Sequence, residues 1–285
     1  MSVKFEKWQA LGNDYVIVER DVLPFELSPS RIRRICDPHT GVGSDGVLEL
    51  TAADEPGFVA QLRIFNPDGS EAELSGNGAR EAILYLRRRG WTDETQFSIR
   101  TAAGEVRPTI LDDRTCSVVL GRARLESADY PSGGPDGRGE LSSAGRMFQF
   151  QHVQVGNPQC AIFVESLDEL ETLDLGLYGP QIESNGLFPN RTNVSFFTQT
   201  GAGEIRARIF ERGVGETSSS GTGSCGAAVA MVLRGGASPV TVRLDGGELL
   251  VEVDESLQMT QTGWAEPVYT AEFSPELLDA LQRLE

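Results

Sequence analysis

Two segments of the chain share one pattern: Phe65-Asn66-Pro67-Asp68-Gly69-Ser70-Glu71-Ala72-Glu73-Leu74-Ser75-Gly76-Asn77-Gly78 and Phe210-Glu211-Arg212-Gly213-Val214-Gly215-Glu216-Thr217-Ser218-Ser219-Ser220-Gly221-Thr222-Gly223. Phenylalanine, glutamate, serine and two glycines fall in one register, at the offset of 145 residues that separates Phe65 from Phe210. A second pair of landmarks, Gly12-Asn13 and Gly156-Asn157, repeats at an offset of 144. Matched landmarks in the same order indicate an internal repeat. We therefore predict two structurally similar halves that face each other across a cleft.

The hydrophobic pattern predicts many short strands and a few helices. Strands are predicted at residues 16–19, 60–65, 117–120, 148–155, 161–164, 205–210 and 249–253. Apolar residues recur at helical spacing over residues 77–89, and residues 222–234 are apolar nearly all round, as in a helix buried at a domain centre. Ser28-Pro29 and Ser274-Pro275 each predict an N-cap followed by a first-turn proline. The expected fold class is therefore α/β (α+β).

A segment rich in glycine and proline marks the expected boundary between the halves. Residues 130–139, within a wider boundary region at 121–146, contain signals that break any regular element. At about 150 residues per domain, the chain length of 285 residues agrees with two domains. We predict an N-terminal half of residues 1–120, joined by the C-terminal segment 274–285, and a C-terminal half of residues 121–273.

Composition argues against several classes of function. The formal net charge of −17 repels phosphate backbones and anionic lipid, so neither nucleic acid nor a membrane is expected as a partner. Four cysteines without a C-x-x-C pair, and only two histidines, argue against a zinc site and favour a reducing compartment. The N-terminus lacks the apolar core of a signal peptide. We predict a soluble cytoplasmic protein without a metal.

The chain contains two matches to G-x-G-x-x-G, at residues 41–46 and 221–226. A dinucleotide site requires that motif directly after a strand. Neither match follows a predicted strand directly, so no nucleotide cofactor is expected.

Each copy of the repeat places a serine, Ser75 or Ser220, before Gly-x-Gly at the start of a predicted helix. Backbone N–H groups are unpaired there, and the helix dipole favours an anion. A single serine would indicate an ordinary N-cap. Because both copies share the pattern, each with a glutamate ahead of it, Glu71 or Glu216, we predict that the two serines lie on opposite faces of the α-carbon of one bound amino acid.

Seven motifs carry a resemblance to a known family. They are Gly12-Asn13-Asp14-Tyr15, Phe65-Asn66-Pro67-Asp68-Gly69-Ser70, Gly76-Asn77-Gly78-Ala79-Arg80, Gly156-Asn157-Pro158, Arg191-Thr192-Asn193-Val194, Glu211-Arg212-Gly213-Val214-Gly215-Glu216-Thr217 and Gly221-Thr222-Gly223. In order and spacing they resemble the diaminopimelate epimerases, which are cofactor-independent amino-acid racemases. The resemblance implies two pseudo-symmetric halves, each a sheet wrapped around a central helix, with the active site in the cleft between them. It also implies epimerisation of LL- or meso-diaminopimelate in lysine and peptidoglycan biosynthesis, no cofactor, and a homodimer.

The resemblance further implies which residues form the site. Ser75 and Ser220 occupy the catalytic acid/base positions. The distal amino and carboxylate groups of the substrate would be bound by Asn66, Asn157, Asn193, Glu211 and Arg212, and the reacting end by Asn13, Gly76, Asn77, Gly221 and Thr222. A guanidinium can bind a carboxylate bidentately, and carboxylate or amide oxygens can accept hydrogen bonds from an ammonium group.

Four positions depart from the family pattern. The family has a cysteine where Ser75 and Ser220 stand, and forming a serine alkoxide costs on the order of 10 kcal/mol unless a neighbour activates the hydroxyl. Gln159 replaces a histidine, which removes one plausible activator. Glu81 replaces another cysteine, and we interpret it as a solvated surface acid, with a substitute base at the cleft as the alternative.

Three interpretations of the serines stay open at this point. They are introduced replacements that trap a competent enzyme; or the protein catalyses a related proton transfer or elimination, as a dehydratase or isomerase of an amino or hydroxy acid; or it is a non-catalytic amino-acid-binding protein on the same scaffold. The leading prediction is an amino-acid epimerase, with turnover by the serines left open.

Overall fold

The computed structural model describes residues 2–285, which divide into two compact units. Unit 1 comprises the chain up to Val118 together with Gly263–Glu285, and unit 2 comprises Val119–Thr262. The return to unit 1 therefore begins at Gly263, earlier than the predicted residue 274. The reason is a strand at Glu266–Glu272, which pairs antiparallel with the first strand of unit 1.

Unit 1 is a mixed sheet around a central helix. Its strands are β1 Lys4–Ala10, β2 Asn13–Glu19, β3 Val47–Ala52, β4 Ala60–Phe65, β5 Glu71–Ala72, β6 Ile99–Thr101, β7 Gly104–Val106 and β19 Glu266–Glu272, and its helices are α1 Pro29–Cys36, α2 Gly76–Arg88 and α6 Pro275–Gln282. The strand order is β19-β1-β2-β3-β4-β6-β7, and β5 pairs with β4. Residues 76–86 of α2 are all buried, so α2 is the central helix of this unit.

A hairpin of β8 (Pro108–Ile110) and β9 (Thr115–Arg122) follows, and β9 carries the chain into unit 2. The strands of unit 2 are β10 Arg138–Ser143, β11 Arg146–Gln154, β12 Pro158–Phe163, β13 Asn193–Gly201, β14 Glu204–Glu211, β15 Gly215–Thr217, β16 Val240–Leu244, β17 Gly247–Val253 and β18 Gln258–Trp264, with helices α3 Leu167–Thr172, α4 Leu175–Glu183 and α5 Gly221–Leu233. The strand order is β10-β11-β12-β13-β14-β16-β17-β18, and β15 pairs with β14. Nearly every residue of α5 is buried, so α5 is the central helix.

The strand pairing of unit 1 is repeated in unit 2. In unit 1, β2 pairs parallel with β3, β3 antiparallel with β4, and β4 antiparallel with β5 and parallel with β6. In unit 2 the same order of directions runs through β12, β13, β14, β15 and β16. The central helices have 13 residues each. The two pseudo-symmetric halves predicted from the repeat are confirmed.

Local sequence signals explain most of the helix boundaries. Ser28 and Ser274 are the N-caps of α1 and α6, and each side chain accepts a hydrogen bond from a first-turn N–H group, as predicted. The sequence analysis missed α3 and α4, which begin after the N-caps Ser166 and Asp174. The predicted break at residues 130–139 ends sooner than expected, because β10 begins at Arg138 and pairs with β11.

Two further features concern surfaces. Within residues 2–285, no helix is long and apolar enough to cross a membrane.

Strand β19 is the first strand in the order of the unit 1 sheet, and its Val268 and Tyr269 are exposed. The homodimer implied by the resemblance stays a prediction.

Candidate active site

In unit 1 the candidate site lies at the N-terminus of α2. Ser75 is the N-cap, and its Oγ accepts a hydrogen bond of 3.1 Å from the N–H of Gly78. The same Oγ accepts a second one, of 3.3 Å, from the hydroxyl of Tyr15 on β2. Gly46 leaves room for this ring, because a Cβ at that position would lie 2.6 Å from it. The Ser75 oxygen therefore has two hydrogen-bond donors directed at it.

In unit 2 the corresponding position is the N-terminus of α5. Ser220 is the N-cap, and its Oγ accepts a hydrogen bond of 3.1 Å from the N–H of Gly223. The Ser220 side chain also hydrogen-bonds to the carboxyl group of Glu211, the last residue of β14. Burial raises the pKa of the Glu211 carboxyl, and the Ser220 hydrogen bond opposes part of that rise. Ser220 therefore has a proton acceptor at its side.

Each serine thus accepts a hydrogen bond from a backbone N–H group of its own helix, but the two serines differ in their side-chain partners. A cap alone accounts for the hydrogen bonds from Gly78 and Gly223. It does not account for a tyrosine directed at Ser75 or a half-buried carboxyl group on Ser220. A carboxylate beside a hydroxyl is the arrangement of an activated proton acceptor, and a phenol directed at a hydroxyl oxygen can supply a proton to it.

Two predicted asparagines meet beside α2. Asn77 Nδ2 donates to Asn13 Oδ1 at 3.4 Å, and Asn13 Nδ2 donates to the carboxylate of Asp45 at 2.9 Å. Arg80, which is buried, donates to Asn77 Oδ1. The hydrogen bond therefore holds Asn13 against Asn77, which follows Gly76 in the first turn of α2. Asn66 follows β4 at a turn, where its Nδ2 donates to Ser70 Oγ at 3.0 Å.

Two predicted residues of unit 2 meet beside β13. The backbone N–H of Arg212 donates to Asn193 Oδ1 at 2.9 Å, and the Arg212 guanidinium donates to the carbonyl oxygen of Asn190 at 2.9 Å. The sequence analysis missed Glu183 here. Its buried carboxylate accepts from the N–H of Gly213 at 2.6 Å and forms an ion pair with Arg191 at 2.5 Å. Glu183 therefore links two segments: the turn after Arg212, through Gly213, and the segment before Asn193, through Arg191.

Comparison with known proteins decides the family. A family model described as diaminopimelate epimerase matches residues 5–126 and 151–268. The chain is 44% identical over 281 residues to the diaminopimelate epimerase of Desulforudis audaxviator, covering 94% of this chain and 98% of that protein. It is 39% identical over 279 residues to the diaminopimelate epimerase of Pelotomaculum thermopropionicum, again covering 94% and 98%. The chain belongs to the diaminopimelate epimerase family. It is thus an isomerase of the racemase and epimerase class.

Solved structures agree on the fold. A hydroxyproline epimerase from Agrobacterium vitis superposes with a TM-score of 0.68 at 14% identity, covering 97% of this chain and 94% of that one. A phenazine biosynthesis protein of the PhzF family from Bacillus anthracis superposes with a TM-score of 0.68 at 18% identity, covering 96% and 99%. At these identities the likeness concerns the fold alone.

Gln159, at the position where the resemblance implies a histidine, orients a neighbouring asparagine. Its Nε2 donates to Asn157 Oδ1 at 2.6 Å, and Asn157 Nδ2 donates to Thr222 Oγ1 at 3.3 Å. A Cβ at Gly226 of α5 would lie 2.8 Å from the Gln159 side chain, so this glycine lets the glutamine pack against the helix. Gln159 therefore belongs to one hydrogen-bonded chain with two predicted site residues, Asn157 and Thr222.

The glutamates that precede the two serines are held by ion pairs. Glu71 binds Arg63 of β4 at 2.8 Å, and Glu216 binds Arg208 of β14 at 2.6 Å. The two arginines are 145 residues apart, the same offset as the repeat. The sequence comparison could have found them by extending the repeat towards the N-terminus. Both pairs fasten the short strands β5 and β15 to their neighbours, which is a structural role.

The interpretation of Glu81 as a solvated surface acid is wrong. The side chain is fully buried, because this face of α2 packs towards β2, and neither carboxyl oxygen has a side-chain hydrogen-bond partner. Burial raises the pKa of the Glu81 carboxyl well above its usual range, and Asp14 and Asp45 add to the rise. The guanidinium of Arg80 opposes it. Burial therefore favours the neutral form of the Glu81 carboxyl group.

We expect Glu81→Gln to stabilise the protein at neutral and alkaline pH. The folded-state pKa of Glu81 is raised, so its contribution to stability is fully present below the unfolded-state pKa and declines as pH rises towards the folded-state value. The decline is about 1.4 kcal/mol per pH unit in that window. Glutamine mimics the neutral carboxyl group and removes this slope. Thermal unfolding from pH 5 to pH 8 tests the expectation, with the exposed Glu73→Gln as control; equal slopes in wild type and Glu81→Gln would contradict it.

Proposed function

We propose that this protein epimerises diaminopimelate at its α-carbon without a cofactor, with Ser220 and Ser75 exchanging protons on opposite faces of that carbon. The observation that carries the proposal is the equivalent placement of the two serines: each is the N-cap of a central helix, and its Oγ accepts a hydrogen bond from a first-turn N–H group. The Glu211 carboxyl group beside Ser220 supplies the activating neighbour that an alcohol needs in place of a thiol. Membership of the diaminopimelate epimerase family supports the choice of reaction and substrate.

The reacting end of the substrate is proposed to bind at the two helix N-termini. First-turn N–H groups of an α-helix lack intrahelical partners, and the helix dipole adds positive potential for a carboxylate. Gly76 and Asn77 supply such groups on α2, and Gly221 and Thr222 supply them on α5. Charge that moves onto the carboxylate when the α-proton leaves is stabilised by the same donors.

Proton removal is proposed to begin at Ser220. As the α-proton moves to Ser220 Oγ, the hydroxyl proton of Ser220 moves to the Glu211 carboxylate, and the C–H electron pair passes into the substrate carboxylate as an enediolate. Because the two transfers occur together, no free alkoxide forms. A carboxyl group with a raised pKa is a stronger base than an ordinary one, which favours this transfer.

Ser75 is proposed to complete the inversion. Its hydroxyl proton passes to the opposite face of the α-carbon, which restores the C–H bond with inverted configuration. The negative charge left on Ser75 Oγ is stabilised by the hydrogen bonds from the N–H of Gly78 and the hydroxyl of Tyr15. For the other stereoisomer the roles of the two serines are exchanged.

The distal end of the substrate is proposed to bind chiefly at Arg212 and Asn193, which the structure holds together. Asn66 and Asn157 remain proposed contacts of the same end. Glu211 was expected there from the resemblance, and its contact with Ser220 supports the catalytic role instead. A cytoplasmic location stays part of the proposal.

Incubation with LL- and meso-diaminopimelate in heavy water tests the proposal. We expect deuterium at one α-carbon and interconversion of the stereoisomers, and both should be lost in Ser220→Ala. Ser218→Ala is the matched control, because Ser218 is exposed and lies two residues before Ser220. Release of water or ammonia would instead indicate an elimination enzyme. Binding without deuterium incorporation would indicate a binding protein, and either result would refute the epimerase.

A further inference from the structure

We propose that Tyr15 is a proton relay for Ser75, which makes the two faces of the proposed site chemically different. The inference rests on the proposed function only in assigning proton transfer to Ser75. Its structural basis is the hydrogen bond of 3.3 Å that the Tyr15 hydroxyl donates to Ser75 Oγ. The Tyr15 ring is buried, at 5% exposure, on β2.

The geometry at Ser75 suits a group that gives up a proton. Its oxygen accepts from both the N–H of Gly78 and the hydroxyl of Tyr15, so a negative charge on that oxygen would have two donors. A phenol is a stronger acid than an alcohol by several pKa units. When Ser75 passes its proton to substrate, the Tyr15 proton can follow onto Ser75 Oγ and leave a phenolate. In the first step the Ser75 O–H bond breaks and a C–H bond forms; in the second the Tyr15 O–H bond breaks and the Ser75 O–H bond forms again, so no further reactant is needed.

The geometry at Ser220 suits the opposite task. Its partner is the carboxyl group of Glu211, which accepts a proton where Tyr15 donates one. The resting pair of a carboxylate at Ser220 and a phenol at Ser75 therefore matches the direction in which Ser220 removes the α-proton and Ser75 returns one. Turnover of the other stereoisomer starts from the reversed pair, a protonated Glu211 and a phenolate at Tyr15.

Tyr15→Phe removes one oxygen and keeps the buried ring. We expect kcat to fall roughly 10- to 100-fold while KM changes less than about twofold, because the hydroxyl acts through Ser75. Tyr85→Phe is the matched control: Tyr85 is a buried tyrosine of the same unit, and its hydroxyl donates to Glu19 at 2.7 Å. A kcat and KM like those of the Tyr85→Phe protein would overturn the relay.

A second measurement tests the relay without any substrate. In Ser75→Cys, the rate of alkylation by iodoacetamide as a function of pH reports the pKa of the new thiol, since the four native cysteines are buried. Adding Tyr15→Phe removes one donor to the sulfur, so the midpoint of the alkylation curve should move to higher pH. An unmoved midpoint overturns the relay even where the protein turns over diaminopimelate. A wild type that lacks deuterium exchange, together with a moved midpoint, refutes the proposed function and leaves the Tyr15 contact established.

Discussion

Replacing both serines by cysteine, as Ser75→Cys and Ser220→Cys, is expected to raise kcat for diaminopimelate epimerisation by about 100-fold or more. A thiol has a pKa near 8.5, and the N-terminus of a helix lowers it further. Both positions are N-caps of central helices, so each new sulfur would lie where the helix dipole stabilises a thiolate. The energy needed to form the base would then fall by several times 1.36 kcal/mol.

The measurement is deuterium incorporation from heavy water together with circular dichroism of the interconverting stereoisomers. Each single variant should show less gain than the double variant, because one serine then still faces one cysteine. Ser218→Cys is the matched control for a new exposed thiol. If the double variant binds diaminopimelate and never exchanges the α-hydrogen, the serines are not replacements in an otherwise competent epimerase site, and the proposed substrate chemistry fails with that interpretation.

The repeat made the architecture predictable, because pairing direction and helix position follow from where strands and caps fall in the chain. The offset that relates Ser75 to Ser220 also relates Arg63 to Arg208. Both helix starts followed from local chemistry, since a serine before Gly-x-Gly satisfies first-turn N–H groups. What local chemistry could not give was the strand at Glu266–Glu272, which joins unit 1 through pairing with residues near the other end of the chain.

The side-chain partners of the two serines could not be predicted from the sequence either, because these contacts also depend on tertiary packing. Tyr15 is 60 residues from Ser75, and no spacing rule connects a strand residue with a helix cap at that distance. Glu81 shows the converse failure. A glutamate on a helix is usually solvated, but α2 is enclosed by its sheet, so the position of the side chain on the helix no longer indicates exposure. The burial of a side chain, and with it the pKa of its carboxyl group, depends on tertiary packing. The hydrophobic periodicity of one helix does not show that packing.

Glu211→Gln is expected to lower kcat in the serine protein by roughly 10²- to 10⁴-fold, the usual value of a positioned general base. Glutamine keeps the shape and can still contact Ser220, but it cannot take up a proton. The base must be ionised, and burial raises the pKa of Glu211, so kcat/KM of the wild type should decline on its acid side at a higher pH than an ordinary glutamate would give. That acid-side decline should vanish in Glu211→Gln.

Glu216→Gln provides the control, because Glu216 is a glutamate of the same unit whose carboxylate binds Arg208. The decisive comparison places Glu211→Gln in the protein that carries both cysteines. A thiolate forms without a carboxylate to receive its proton, so the loss of kcat there should be much smaller than in the serine protein. Equal losses in both backgrounds would show that Glu211 acts on the substrate itself, as a ligand of its ammonium group. A dependence on the serine background would instead identify the carboxyl group of Glu211 as the group that lets a serine transfer the proton where the resemblance implies a cysteine.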